Sequence, residues 1–134
     1  MRYIVLKGLK PLPIKAKGLD GKLVDAPFGA LDLVRWLIDN DKHFNSDGSG
    51  VRAGARIETQ LEKAKHFLAL EDADWVKLKE AADSPNVSGG MFGGGSNAYP
   101  VQPARRLEPF LTAIQDAAEK QPGEEPKRAK GKAA

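Results

Sequence analysis

The densest set of oxygen-bearing side chains lies in residues 39–54, where carboxylates and amides recur ahead of Gly48. These side chains belong to Asp39, Asp41, Asn45 and Asp47. Oxygen ligands at alternate positions before a glycine superficially resemble a calcium-binding loop. The spacing fails, because aligning Gly48 with the invariant glycine puts His43 at the first ligand and Gly54 where a bidentate glutamate belongs. We therefore interpret the segment as a polar turn without a metal.

Other residues that could do chemistry are few. His43 and His66 fall on different predicted elements, and neither belongs to a zinc-binding pattern such as HExxH. We interpret both as surface or helix-end histidines.

The chain has no cysteine, which excludes disulfides, thiolate catalysis and cysteine zinc sites. No spacing groups a serine, a histidine and an acid, so we predict no catalytic residue, cofactor, metal or small-molecule ligand. An enzyme with a dispersed site is the weakest of three hypotheses.

A glycine-rich run, Gly89–Gly95, surrounds Met91 and Phe92. It does not match a phosphate-binding loop, because no strand precedes it and no Gly-Lys-Ser/Thr follows. Two large apolar side chains among five glycines are difficult to hold in a rigid core. They either dock on a partner or fold back onto their own domain. The residues predicted to bind a protein partner are Met91, Phe92, Tyr99, Arg105 and Arg106.

The net charge of +3 is unevenly distributed. Residues 1–23 carry +5, residues 24–120 carry −4 and the tail 121–134 carries +2. Basic ends and an acidic middle suit contacts between copies of the chain, and also non-specific contacts with nucleic acid. The tail residues predicted to act electrostatically are Lys127, Arg128, Lys130 and Lys132. Base-specific recognition is not predicted, because no aromatic residues alternate with these cations.

Strand and turn signals dominate the first 28 residues. Tyr3–Leu6 is β-branched and aromatic, which predicts a strand. Residues 9–16 contain two prolines and must therefore form an edge or an extended arm. Asp20-Gly21 predicts a hairpin turn that leads into Val24. We expect a helix to follow, capped by Asp25 or, alternatively, starting at Gly29.

Helical periodicity dominates the rest of the chain. Apolar stripes predict helices over residues 30–40, 55–66, 72–83 and 103–118, with Glu71 or Asp72 capping the third and Pro109 kinking the last or marking its start. The short apolar run Phe67–Leu70 predicts a buried strand between helices. Residues 39–54 are expected to form a loop. Residues 84–100 are too rich in Gly, Ser and Pro for a fixed element, and no large apolar side chain occurs in residues 121–134.

These elements predict an α+β fold. One small antiparallel sheet, made of the N-terminal strand, the hairpin and Phe67–Leu70, is packed by about four helices in a single domain over residues 1–120. A flexible loop interrupts it at 84–100, and a disordered basic tail follows at 121–134. The predicted core comprises Ile4, Leu6, Val24, Leu31, Val34, Leu37, Ile38, Ile57, Leu61, Leu68, Leu70, Trp75, Leu78, Leu107, Leu111 and Ile114.

The layout resembles small accessory or virion-structural proteins of tailed bacteriophages and prophages. The resemblance rests on residues 1–27, on LEDADWVKLKEAA at 70–82 and on YPVQPARRLEPFLTAI at 99–114. It implies assembly or particle binding, in the host cytoplasm or the virion, and brings no site residues.

The first hypothesis is accordingly a non-enzymatic structural or assembly protein that binds a protein partner or itself. The second is a nucleic-acid-associated regulator that uses the basic terminal segments. No apolar run reaches the roughly 20 residues that span a bilayer, so no membrane contact is predicted.

Overall fold

The computed structural model describes residues 1–17, 19–85 and 104–120, and it confirms the α+β class. The strands are β1 Arg2–Val5, β2 Leu12–Lys17, β3 Leu23–Phe28 and β4 Phe67–Leu70. The helices are α1 Ala30–Asn40, α2 Gly48–Lys63, α3 Asp72–Asp83 and α4 Glu108–Gln115. Two 3₁₀ helices, Lys42–Phe44 and Ala104–Leu107, precede α2 and α4.

The strands form two separate sheets, whereas the sequence predicted one. β1 pairs antiparallel with β4, and β2 pairs antiparallel with β3. The outer edge of β1 is already occupied, because Tyr3 and Ala118 exchange two backbone hydrogen bonds of 2.8 Å. A turn after β1 contains Gly8 at a φ of 84° and carries the chain away from that sheet. The hairpin therefore has no free β1 edge to join.

One hydrophobic core lies between the β1–β4 sheet and the helices. Twelve of the sixteen predicted core residues are buried, and Leu6, Leu31 and Leu111 pack against them while partly exposed. Val24 was predicted wrongly, since it is 47% exposed in the hairpin. The large buried side chains that the sequence did not predict are Leu33, Phe44 and Phe110.

Helix α1 starts after Gly29, as the alternative prediction had it. Asp25 lies within β3, so the prediction that it caps α1 is wrong. Pairing of β3 with β2 continues to Phe28 and keeps the backbone extended up to the helix. The Gly29 N–H donates to Asp32 Oδ2 at 2.7 Å, which satisfies a donor at the start of the helix.

The loop predicted over residues 39–54 is wrong in its second half, because α2 starts at Gly48. Asp47 caps the helix, with Oδ1 accepting from the Gly50 N–H at 2.7 Å. The buried face of α2 continues N-terminally from Ile57 through small residues, Gly50, Ala53 and Gly54. These residues gave no apolar signal, yet they let the helix approach the preceding 3₁₀ helix closely. A Cβ on Gly50 would overlap the carbonyl oxygen of His43.

Trp75 anchors α3 to α4, as predicted for a core residue. It is 8% exposed, and its Nε1–H donates to the Ile114 carbonyl at 2.7 Å. Glu71 occupies the cap position of α3 but makes no side-chain cap hydrogen bond. Asp72 instead lies 2.7 Å from the Met1 amino group. Pro109 is the second residue of α4, so it marks the start of that helix rather than a kink.

Several predictions fall on residues outside the structure's description. They concern the loop after Pro85, the residues Met91, Phe92 and Tyr99, and the tail 121–134. Within the described ranges, no helix is both long and apolar enough to cross a membrane.

Candidate interaction surface

The two strands of the β2–β3 hairpin pack on each other, and the core contacts of the side chains described lie at its base. Leu12 and Phe28, paired at that base, are partly buried against the core. Toward the turn, Leu19 is fully exposed, Leu23 is 69% exposed and Val24 is 47% exposed. An isolated two-stranded hairpin is at best marginally stable in water. The apolar side chains at this end are exposed on both faces of the hairpin, because Leu23 and Val24 are consecutive strand residues.

The turn forms where Asp20-Gly21 predicted it. Gly21 has a φ of 82°, in the left-handed region that glycine adopts without strain. Asp20 Oδ1 accepts a hydrogen bond of 3.0 Å from the Lys22 N–H and fixes the local geometry. Strand pairing then runs without interruption from Lys17 opposite Leu23 to Leu12 opposite Phe28.

The prolines determine which backbone groups face outward. Pro13 lies directly opposite Pro27, and two residues without N–H groups cannot form a hydrogen-bonded pair. Hydrogen-bonded and non-bonded pairs alternate along an antiparallel ladder. The outward N–H and C=O groups therefore belong to Lys15 and Lys17 on β2 and to Leu23 and Asp25 on β3. Each strand offers two donors on its outer edge, which is the arrangement that strand addition requires.

The two edges have different surroundings. Arg106, on the 3₁₀ helix Ala104–Leu107, donates from Nη2 to the Pro13 carbonyl at 3.4 Å. This contact agrees with the outward direction derived for Pro13, and it places the β2 edge on the side that faces the body of the protein. The β3 edge has no such contact among the residues described. Arg105, the neighbouring predicted residue, is exposed.

The hairpin is also the basic part of the described chain. Residues 9–28 contain four lysines, Lys10, Lys15, Lys17 and Lys22, against Asp20 and Asp25.

Of the predicted partner-binding residues, the structure brings Arg106 to the hairpin. Sequence reasoning missed the exposed set Leu19, Leu23 and Val24, and it placed Val24 in the core. The available signal was Pro11, Pro13 and Pro27 around an Asp-Gly turn, which together favour a two-stranded arm over a layer of a larger sheet.

A second cluster of titratable groups joins the first 3₁₀ helix to α3. Asp41 is fully buried, and its Oδ1 accepts from the His43 backbone N–H at 2.7 Å and lies 2.6 Å from the ring Nδ1. His43 Nε2 lies 4.0 Å from the Glu80 carboxylate. The carboxylate fixes the orientation of the imidazole, as an acid that accepts a hydrogen bond from a histidine does in many enzymes. Here it also caps the 3₁₀ helix, so a structural role accounts for the cluster.

A third group lines a cleft of about 200 Å³ between α2, β4 and α3. Arg56 forms a bidentate pair with the buried Asp74, through Nε at 2.9 Å and Nη2 at 2.8 Å. The hydrogen bonds to Asp74 and its charge raise the pKa of the Arg56 guanidinium above its ordinary value. The pair neutralises the carboxylate that α3 buries. His43 does not line this cleft, so the two groups do not form one site.

Comparison with known proteins gives no relative. No protein-family model, curated protein or solved structure matches the chain. Within the described ranges, no group of three or more His, Cys, Asp or Glu residues could hold a metal ion. Among the described features, the hairpin, with its exposed apolar side chains and unpaired edges, most strongly indicates a binding surface.

Proposed function

We propose that this chain is a non-enzymatic structural or assembly protein that acts through protein–protein contacts in the cytoplasm or in an assembled particle. The observation that carries the proposal is the β2–β3 hairpin, which combines exposed Leu19, Leu23 and Val24 with strand edges that have no strand partner among the described residues. Exposed apolar residues on an open edge promote association with another chain. A bacteriophage virion or accessory role fits this proposal and rests on the layout resemblance alone.

Main-chain pairing explains how such an arm would bind. A partner strand that adds to the hairpin forms hydrogen bonds with the outward groups and buries the neighbouring apolar side chains. Binding would also stabilise the hairpin itself, because three or more strands give a sheet the stability that two lack. The body, anchored by Trp75 and the core, would serve as the rigid support.

A second function, contact with nucleic acid, is favoured by one observation. The hairpin carries four lysines against two aspartates, and two-stranded ribbons do enter nucleic-acid grooves. Such binding would weaken steeply with salt, since each neutralised phosphate releases counterions. An affinity that is independent of salt would exclude this second function.

Site-specific photocrosslinking tests both functions in the native host. A photoreactive residue in place of Leu19 should give discrete adducts that contain a second protein chain, identified by mass spectrometry. The matched control carries the same residue in place of Val76, which is 44% exposed on α3, and should give no matching adduct. Nuclease-sensitive adducts from position 19 would favour nucleic acid. Equal adducts from both positions, or none from position 19, would contradict the proposal.

A further inference from the structure

We infer that the hairpin pairs with a second copy of this chain, β3 to β3, in a two-fold antiparallel arrangement that makes one four-stranded sheet. This inference rests on the proposed function and names the partner of the same surface. It follows from comparing the outer strand edges of the described chain.

On the β1–β4 sheet, the outer edge of β1 is occupied at Tyr3, and α2 contacts β4. Ala118 pairs with Tyr3 there, and Gln60 of α2 lines the same cleft as Ala69 of β4. On the hairpin, the β2 edge faces the body, where Arg106 contacts the Pro13 carbonyl. The β3 edge is unpaired in the described ranges and carries the exposed side chains of Leu23 and Val24.

The β3 edge complements itself in hydrogen bonding. Leu23 and Asp25 both point N–H and C=O outward, so an antiparallel copy can pair Leu23 with Asp25 and Asp25 with Leu23. Val24 then faces Val24 of the copy across the two-fold axis. If the two-fold axis instead passed between Leu23 of the two copies, Gly21 would have to be extended, whereas its φ is 82°. Centring the pairing on Asp25 would place like charges opposite each other and would use Pro27, which has no N–H.

Charge also favours β3 over β2. The equivalent self-pairing of β2 would put Lys15 opposite Lys17 of the copy twice, and like charges directly opposite are destabilising. The β3 pairing puts each Asp25 opposite a leucine. It also places the exposed Val24 of one copy beside Val24 of the other, while the exposed Leu23 lies on the opposite face of the sheet. A two-fold arrangement is the commonest closed form of a homo-oligomer.

A single introduced cysteine tests the geometry directly, because the chain has none of its own. Val24 of the two copies would form a non-hydrogen-bonded pair, with Cα atoms about 4.5 Å apart, and a disulfide can bridge that distance. Val24→Cys should therefore form a covalent dimer under mild oxidation. Ala16→Cys is the matched control: Ala16 lies opposite Val24 in the ladder. In the four-stranded sheet it would be about 14 Å from its copy, three strand spacings away, and should not cross-link.

Proline substitutions test the hydrogen bonds. Leu23→Pro removes an outward donor of β3 and leaves the ladder within the hairpin intact. It should reduce the dimer fraction, measured by sedimentation velocity, at least tenfold. Lys17→Pro makes the matched change on the β2 edge and should leave the dimer unchanged. Circular dichroism of both variants would verify that the body remains folded.

The outcomes separate this inference from the proposed function. A monomer at every concentration, with no Val24→Cys dimer, overturns the pairing of two copies. Protein adducts from position 19 with a different chain would then still support a contact arm. Disulfides that form between Ala16→Cys and Val24→Cys chains, rather than between two Val24→Cys chains, would instead indicate head-to-tail pairing of β2 with β3 and would also overturn the two-fold arrangement.

Discussion

Gly50 sets how closely α2 approaches the preceding 3₁₀ helix. A methyl group at this position would overlap the His43 backbone carbonyl, which has no flexible side-chain atoms to move aside. Gly50→Ala should therefore destabilise the protein by about 1–3 kcal/mol, the usual cost of overpacking. Urea unfolding followed by circular dichroism measures the change.

Gly48→Ala is the control for that variant. A Cβ on Gly48 would meet only the far end of the Arg52 side chain, and alanine favours the helix more than glycine does. Its stability should equal or exceed that of the wild type. If Gly50→Ala were as stable as Gly48→Ala, α2 and the 3₁₀ helix before it could not lie as close together as described.

The contact between Asp72 and the Met1 amino group predicts a dependence on pH. The hydrogen bond with that amino group lowers the pKa of Asp72 below its ordinary value. A carboxyl whose pKa is lower in the folded state stabilises the fold above its unfolded pKa, about 3.9, and loses this effect as the pH falls through the folded pKa. Asp72→Asn should lower the urea midpoint slightly at neutral pH and have no effect well below pH 4. The effect is small because both groups are exposed.

Acetylation of the amino terminus provides the control. It removes the positive charge and leaves Asp72 in place at the start of α3, so it should reproduce most of the loss seen in Asp72→Asn. A difference between wild type and Asp72→Asn that stays constant down to the lowest pH would contradict the assignment.

At the scale of elements, α2 has a core face and a solvent face that can be compared within one helix. Leu61 is 5% exposed and Val51 is 55% exposed. Leu61→Ala should cost about 2–5 kcal/mol, because it removes buried methyl groups and leaves a cavity. Val51→Ala should change stability by no more than about 0.5 kcal/mol. Equal melting temperatures for the two variants would show that α2 does not pack on the core as described.

The extent to which sequence predicts these elements depends on the size of the buried side chains. Stripes that contain Leu, Ile and Trp predicted α1, α3 and α4, and the prolines and Asp-Gly predicted the hairpin turn. The first turns of α2 were missed, because Gly50, Ala53 and Gly54 are buried without being large. Small residues carry no apolar periodicity, and their role appears only when the neighbouring element is placed.

The hairpin surface was only partly predictable from the sequence, because local patterns do not show which strands a hairpin pairs with. Alternation and the Asp-Gly turn show that a hairpin forms, but they do not show which sheet it joins. Val24 has the sequence neighbours of a core strand, and it is exposed because Ala118 occupies the edge of β1 that the hairpin would otherwise extend. A pairing partner 115 residues along the chain from Tyr3 gives no local signal.

At the scale of the whole molecule, the chain combines a packed body with one arm that is both basic and apolar. Among the side chains that the structure describes, 20 buried hydrophobic residues form one cluster, and all of them lie in the body rather than in the arm. Association through the arm can therefore change without loss of the fold. Substitutions at Leu19 or Leu23 should alter association and leave the melting of the body intact, whereas substitutions such as Leu61→Ala should act in the opposite way.

Amide hydrogen exchange at the hairpin edge reports whether the outward backbone groups of β3 are paired with a second copy. In the isolated chain at high dilution, the outward N–H groups of Leu23 and Asp25 have no partner in the ladder and should exchange rapidly. At high concentration, pairing of the β3 edges should slow exchange at both residues, while Lys15 and Lys17 on the β2 edge remain fast. Rates at Leu23 and Asp25 that are the same at every concentration, and the same in the protein complexes recovered by crosslinking, would contradict the account.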